Sequence, residues 1–184
     1  APSPLPPQTT LRQFEIGVPG EFKFVANGRR PIAITPDGQI LVLHASVNGR
    51  NQPFARAMNG IDALPVDGTE GAERSFALSP NGKFVAFAKD GLLKKVSLNG
   101  GIPSALGKTI GRVHRITCGK DGTIVYTDES YGGLMSLPAA GGDATEFSIP
   151  QDGVTHKHPS YIPGTEWLVF SVGVRRLPVS STDR

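Results

Sequence analysis

A short segment recurs four times along the chain, and this recurrence limits the fold more than any other feature. The copies are residues 30–44, 74–88, 114–127 and 157–171. Pro36, Pro80, Lys120 and Pro163 occupy the same place in each copy, 44, 40 and 43 residues apart. The side chains before that place alternate. Two and four residues upstream stand Ile34/Ile32, Leu78/Phe76, Cys118/Ile116 and Tyr161/Pro159, mostly large and apolar. Three residues upstream stand Ala33, Ala77, Thr117 and Ser160, all small. A period of two is that of a β-strand with a bulky face and a small face.

A second strand follows. Four and five residues past the anchor come Ile40/Leu41, Phe84/Val85, Ile124/Val125 and Trp167/Leu168. An unbroken apolar run of this length predicts a strand buried on both faces. Between the two strands, Asp37-Gly38, Asn81-Gly82 and Asp121-Gly122 read as hairpin turns in which glycine supplies a positive φ. Further strands are expected at 54–58, 93–98 and 134–139, and short outer strands at 104–106 and 145–148. Repeats of 40–45 residues with four strands each are the signature of propeller blades. The chain is therefore expected to be all-β, a β-propeller of four-stranded antiparallel blades, about four in number. Residues 1–24 read as a proline-rich N-terminal segment and 25–184 as blades at 30–73, 74–113, 114–156 and, in part, 157–184.

The turn sequences Thr35-Pro36-Asp37-Gly38, Ser79-Pro80-Asn81-Gly82 and Gly119-Lys120-Asp121-Gly122, with the later Asn99-Gly100-Gly101 and Ala140-Gly141-Gly142, resemble the TolB-like, WD-repeat-like propeller family. The likeness spans residues 31–172. The stretches 68–72 and 156–159 also resemble propellers attached to bacterial serine/threonine kinases, which implies a sensing role and an extracytoplasmic, periplasmic or secreted location. No kinase motif is present. The family usually has six or more blades. Three arrangements answer this: the chain is a piece of a larger propeller, a four-bladed ring closed by a strand at 11–16, or half of a ring completed by a second copy.

Composition narrows the function. A formal net charge of +3 without a Lys/Arg block does not suit a nucleic-acid binder. No apolar stretch reaches the roughly 20 residues of a membrane span. The N-terminus lacks the features of a signal peptide, as expected if a leader has been removed or the chain belongs to a longer one. The lone Cys118 excludes an internal disulfide and falls on the bulky face, as packing rather than a nucleophile.

Six residues before the anchor the repeats carry Arg30, Arg74, His114 and Lys157. With Arg115 and His158 they are expected to ring one mouth of the central channel and attract an anionic ligand or an acidic protein segment. His156 and His158 are weak candidates for a metal. The plainer expectation for His156 is a hydrogen bond to a neighbouring loop. Asp128 and Glu129 read as a solvated acidic turn. No nucleophile elbow or phosphate loop is found, so no catalytic residue and no cofactor is assigned. The expected function is a binding or sensing module. The alternative is a propeller-borne hydrolase of the lactonase type, or the propeller part of a larger enzyme.

Overall fold

The computed structural model describes residues 23–24, 32–73 and 75–174. Every element among them is a β-strand. Blade 1 contains β1 (Lys23–Phe24), β2 (Ile32–Ile34), β3 (Ile40–Val47), β4 (Arg50–Ala57) and β5 (Leu64–Pro65). Blade 2 is β6 (Phe76–Leu78), β7 (Phe84–Lys89), β8 (Leu92–Ser97) and β9 (Ser104–Lys108). Blade 3 is β10 (Val113–Cys118), β11 (Thr123–Asp128), β12 (Leu134–Pro138) and β13 (Thr145–Ser148). The fourth repeat is a hairpin of β14 (Val154–Tyr161) and β15 (Leu168–Val174). All pairings are antiparallel, and blades 2 and 3 run in simple sequence order. Lys23 and Phe24, from the N-terminal segment, pair with Ser46 and Ala45. The strand expected at 11–16 lies outside the described residues.

Local chemistry sets the hairpins. Gly38 N donates to Thr35 O (2.8 Å) and Gly82 N to Ser79 O (2.9 Å), which closes each Pro-containing turn. Gly38 and Gly82 follow at φ +69° and +68°. The Ser79 hydroxyl donates to Asn81 Oδ1 (2.8 Å) and accepts from Phe84 N (3.0 Å); the Thr35 hydroxyl does the same with Asp37 and Ile40. A different pair of turns joins the second and third strands. Asn48-Gly49 and Asp90-Gly91 hold φ of +51°/+77° and +54°/+70°. Positive φ at both central residues is the two-residue turn whose twist matches the flanking strands.

The blades stack large against small. Between blades 1 and 2, Phe76, Val85 and Phe87 pack with Val42 and Val66, and the small Ala33 faces them. Between blades 2 and 3, Ala77, Ala86 and Ala88 accept Ile116, Cys118 and Tyr126. Full burial of a side chain such as Phe87 or Leu93 contributes about 1.5–3 kcal/mol. The blade faces that lie between neighbours are thus filled as the repeat predicts.

The outer faces differ from that expectation. Ile32 and Ile34 are 43% and 46% exposed, and Trp167, aligned with the half-buried Ile40 and Phe84 and the buried Ile124, is 74% exposed. The apolar run of the fourth repeat is not buried on both faces, because no described strand follows β15 to cover it. Among the described residues the fold is an all-β open propeller, with inner strands β2, β6, β10 and β14 side by side.

Candidate functional site

The inner strands converge on a cavity of about 380 Å³. Ile32–Ile34, Phe76–Leu78, Arg115–Cys118 and Pro159–Tyr161 line its length. A propeller puts its first strands there because each blade narrows toward the axis, and among the described residues their inner edges have no strand partner. Two cationic side chains, Arg115 and Lys120, lie in the wall, with Ser75, Ser79, Thr117, Ser160 and Tyr161 as polar groups. No Asp or Glu is among the lining residues. Lys120 pairs with the exposed Glu166 (3.2 Å), an ion pair open to solvent on both sides. Tyr161 N donates to Thr117 Oγ1 (3.2 Å), which ties the fourth repeat to blade 3 at the cavity wall. The Tyr161 phenol is raised above its ordinary pKa, first by burial and then by the carboxylate of Asp121.

Of the expected basic collar, Arg115 lines this cavity, while Arg30 and Arg74 lie outside the described residues. His114 sits in a bulge between Val113 and Arg115 and points its Nε2 at Glu129 Oε2 (3.3 Å). Lys157 and His158 are exposed on β14. His158 has φ +55° at a second bulge and places Nδ1 3.0 Å from Ser171 Oγ. Ser171 Oγ already donates to Lys157 O (3.0 Å), so the His158 nitrogen is the donor in that contact. His156 Nδ1 meets Ser148 Oγ (2.8 Å) on β13, and its ring packs on Phe170. Among the described residues no three potential metal ligands cluster.

Two residues carry more than sequence reasoning assigned them. Lys120 served only to align the repeats, yet it is a cation in the cavity wall. The signal was its departure from the proline found at the same place in the other three repeats. Asp128 is not in a solvated turn: it is fully buried. Its Oδ2 accepts from Ile110 N (3.0 Å) and Gly111 N (2.9 Å), and its Oδ1 from Ser130 N (3.0 Å). An isolated buried carboxylate is unfavourable, and these donors compensate it. Cys118 is buried and its thiol is pushed up to about 12 by desolvation, which leaves it protonated and unreactive at neutral pH.

No family model and no curated protein matches this sequence. Solved structures do. A TolB-type protein from Agrobacterium tumefaciens superposes with a TM-score of 0.64 at 16% identity, over 76% of this chain and 52% of its own. TolB from Acinetobacter baumannii gives 0.56 at 15%, over 78% and 40%. An oligogalacturonate lyase from Vibrio parahaemolyticus gives 0.56 at 15%, over 78% and 45%. The fold is that of the TolB-like β-propellers. The chain spans about half the length of these proteins.

Proposed function

We propose that this chain is a non-catalytic binding module that takes an anionic small ligand or an acidic protein segment against the inner strands. The cavity wall supports this reading: it joins all four repeats and carries Arg115 and Lys120 with no Asp or Glu among the described lining residues, the carboxylate paired with Lys120 being the exposed Glu166 beside it. Converging cations in a concave, partly apolar site favour anions. The sequence expectation that Arg30, Arg74, Lys157 and His158 share this rim belongs to the same proposal. A sensory role outside the cytoplasm, of the kind the resemblance to kinase-attached propellers implies, is the physiological form of this reading.

The test is fluorescence anisotropy with a labelled hexaglutamate peptide and a labelled hexaserine control. Binding of the acidic peptide that weakens about tenfold in Arg115→Ala, and weakens further with salt, supports the reading. Equal binding of both peptides, or no effect of Arg115→Ala, refutes it. The enzyme alternative draws on the lyase among the similar folds. A lactonase-type or other metal-dependent hydrolase would need carboxylates in the cavity wall, and the described lining has none.

A further inference from the structure

His44 lies near the end of β3, at the junction of blades 1 and 2. It is 0% exposed, and neither ring nitrogen makes a well-aligned hydrogen bond, although the Ala72 backbone lies alongside as a weak acceptor. Its ring stacks on Phe76 of blade 2, with centroids 6.2 Å apart and planes 20° from parallel. The buried side chains around this junction are mostly apolar, among them Val42, Val66, Ala72 and Phe87, with the hydroxyls of Thr69 and Ser75 also buried on the connection to blade 2. The same repeat position holds Ala88, Asp128 and Ser171 in the other blades. Ala88 has nothing to ionise, and Asp128 has three backbone donors.

A neutral imidazole can stay in such a place, but a protonated one cannot without an acceptor. The elements packed around His44 carry Arg50 and Arg56 on β4, Asp67, Glu70 and Glu73 on the connection to blade 2, and Lys89 on β7. None of the three carboxylates forms an ion pair with the ring. Glu73 Oε2 is itself buried without a partner.

We propose that the junction of blades 1 and 2 is an acid-sensitive hinge, opened by protonation of His44 while the junction of blades 2 and 3 stays closed. Burial pushes the imidazole down to about 4, with the Ala72 backbone alongside opposing only part of the shift. In the opened state the ring titrates near its ordinary 6.5. The folded pKa is therefore the lower one. The junction keeps its full stability above pH 6.5 and loses it as pH falls toward 4. A gap of about 2.5 pH units corresponds to a shift of roughly 300-fold in the closed-to-open ratio. Ile32–Ile34 also line the cavity, so opening removes one of its walls. That last consequence, unlike the hinge, rests on the binding role proposed above.

The test is hydrogen exchange of the whole chain between pH 7.5 and 4, read by mass spectrometry and corrected for intrinsic rates. The ¹³C-labelled histidine resonances are followed in parallel. The expected result is a loss of protection in β3 and β4 of about 150-fold at pH 4, with β10–β12 affected at least tenfold less, and no titration of His44 near 6.5 while blade 1 is closed. In His44→Phe, which keeps a ring against Phe76, the selective loss disappears. Equal loss in both blades, or a His44 titration at 6.5 with blade 1 still protected, overturns the proposal. So does persistence of the selective loss in a folded His44→Phe. If that variant does not fold, the wild-type exchange pattern and resonance decide alone.

Discussion

Asp128 offers the sharpest test of how this arc is held together. Its carboxylate takes three backbone N–H groups at 2.9–3.0 Å, two of them from the 109–112 connection that leads from blade 2 into blade 3. Hydrogen bonds to a charged group contribute about 1.5–3 kcal/mol each. Three would give roughly 4.5–9 kcal/mol if every donor were left dry. They would not be. Ile110 is 67% exposed, so water can reach the connection once the carboxylate is gone. Asp128→Ala should then cost about 3–4 kcal/mol, a large part of the 5–15 kcal/mol that a domain has. In thermal unfolding this corresponds to a drop of roughly 10 °C.

The assay is urea denaturation followed by circular dichroism, with Asp121→Ala as a control. Asp121 is also hydrogen-bonded, to Thr123, but it is exposed, and its loss should cost well under half as much. Gly111 gives an independent view of the same contact. A Cβ there would stand 2.9 Å from Asp128 Oδ1 and 2.1 Å from Ser130 Oγ. The serine hydroxyl can rotate away, but Ser130 Cβ at 2.9 Å and the carboxylate are held, so Gly111→Ala should destabilise in the same direction. If Asp128→Ala unfolds within about 1 kcal/mol of wild type, the buried carboxylate does not hold the connection, and the reasoning fails.

Other expectations follow from single contacts. Gly68→Ala should cost about 2 kcal/mol or more by urea denaturation, because φ is +87° and a Cβ would meet Gly101 O at 2.3 Å. Lys95 of blade 2 donates to Ala139 O of blade 3 (2.6 Å) and lies over the Phe84 ring; Lys95→Met should cost about 1 kcal/mol in the same assay. Cys118 should react with a thiol reagent at pH 8 many times faster in urea than in the native protein, and equal rates would contradict its burial. The exposed Ile32, Ile34, Trp167 and Val169 predict self-association. Light scattering should give about 39 kDa, twice the 19.4 kDa of one chain, and a monomer at high concentration would count against pairing of the end faces.

Much of the architecture was legible along the chain because a blade is a local object. Its strands are sequence neighbours and its turns are short, so the period, the Pro-Asp-Gly and Pro-Asn-Gly turns and the alternation of large with small residues appear directly. Ala77 opposite Ile116 and Cys118 could be anticipated from pattern alone. The two Asn-Gly and Asp-Gly turns at 48–49 and 90–91 were equally available, since their residue types are those that tolerate positive φ.

The amino-acid sequence by itself determined the strand periodicity, the blade unit and which face of each inner strand is bulky. These depend on backbone sterics and on side-chain size at fixed spacing. Only the tertiary structure decided which of those faces is covered. Ile34 and Leu78 are equivalent by repeat, yet Leu78 has a blade against it and Ile34 is open. It also decided the fate of charge. Asp128 and Asp121 are both acidic residues beside turns, but one is buried under three donors and the other is exposed. His44 and His114 are both imidazoles on blade strands, but one is sealed between blades and the other faces a carboxylate. Burial and partnership arise between segments far apart in the chain, and no local pattern carries them.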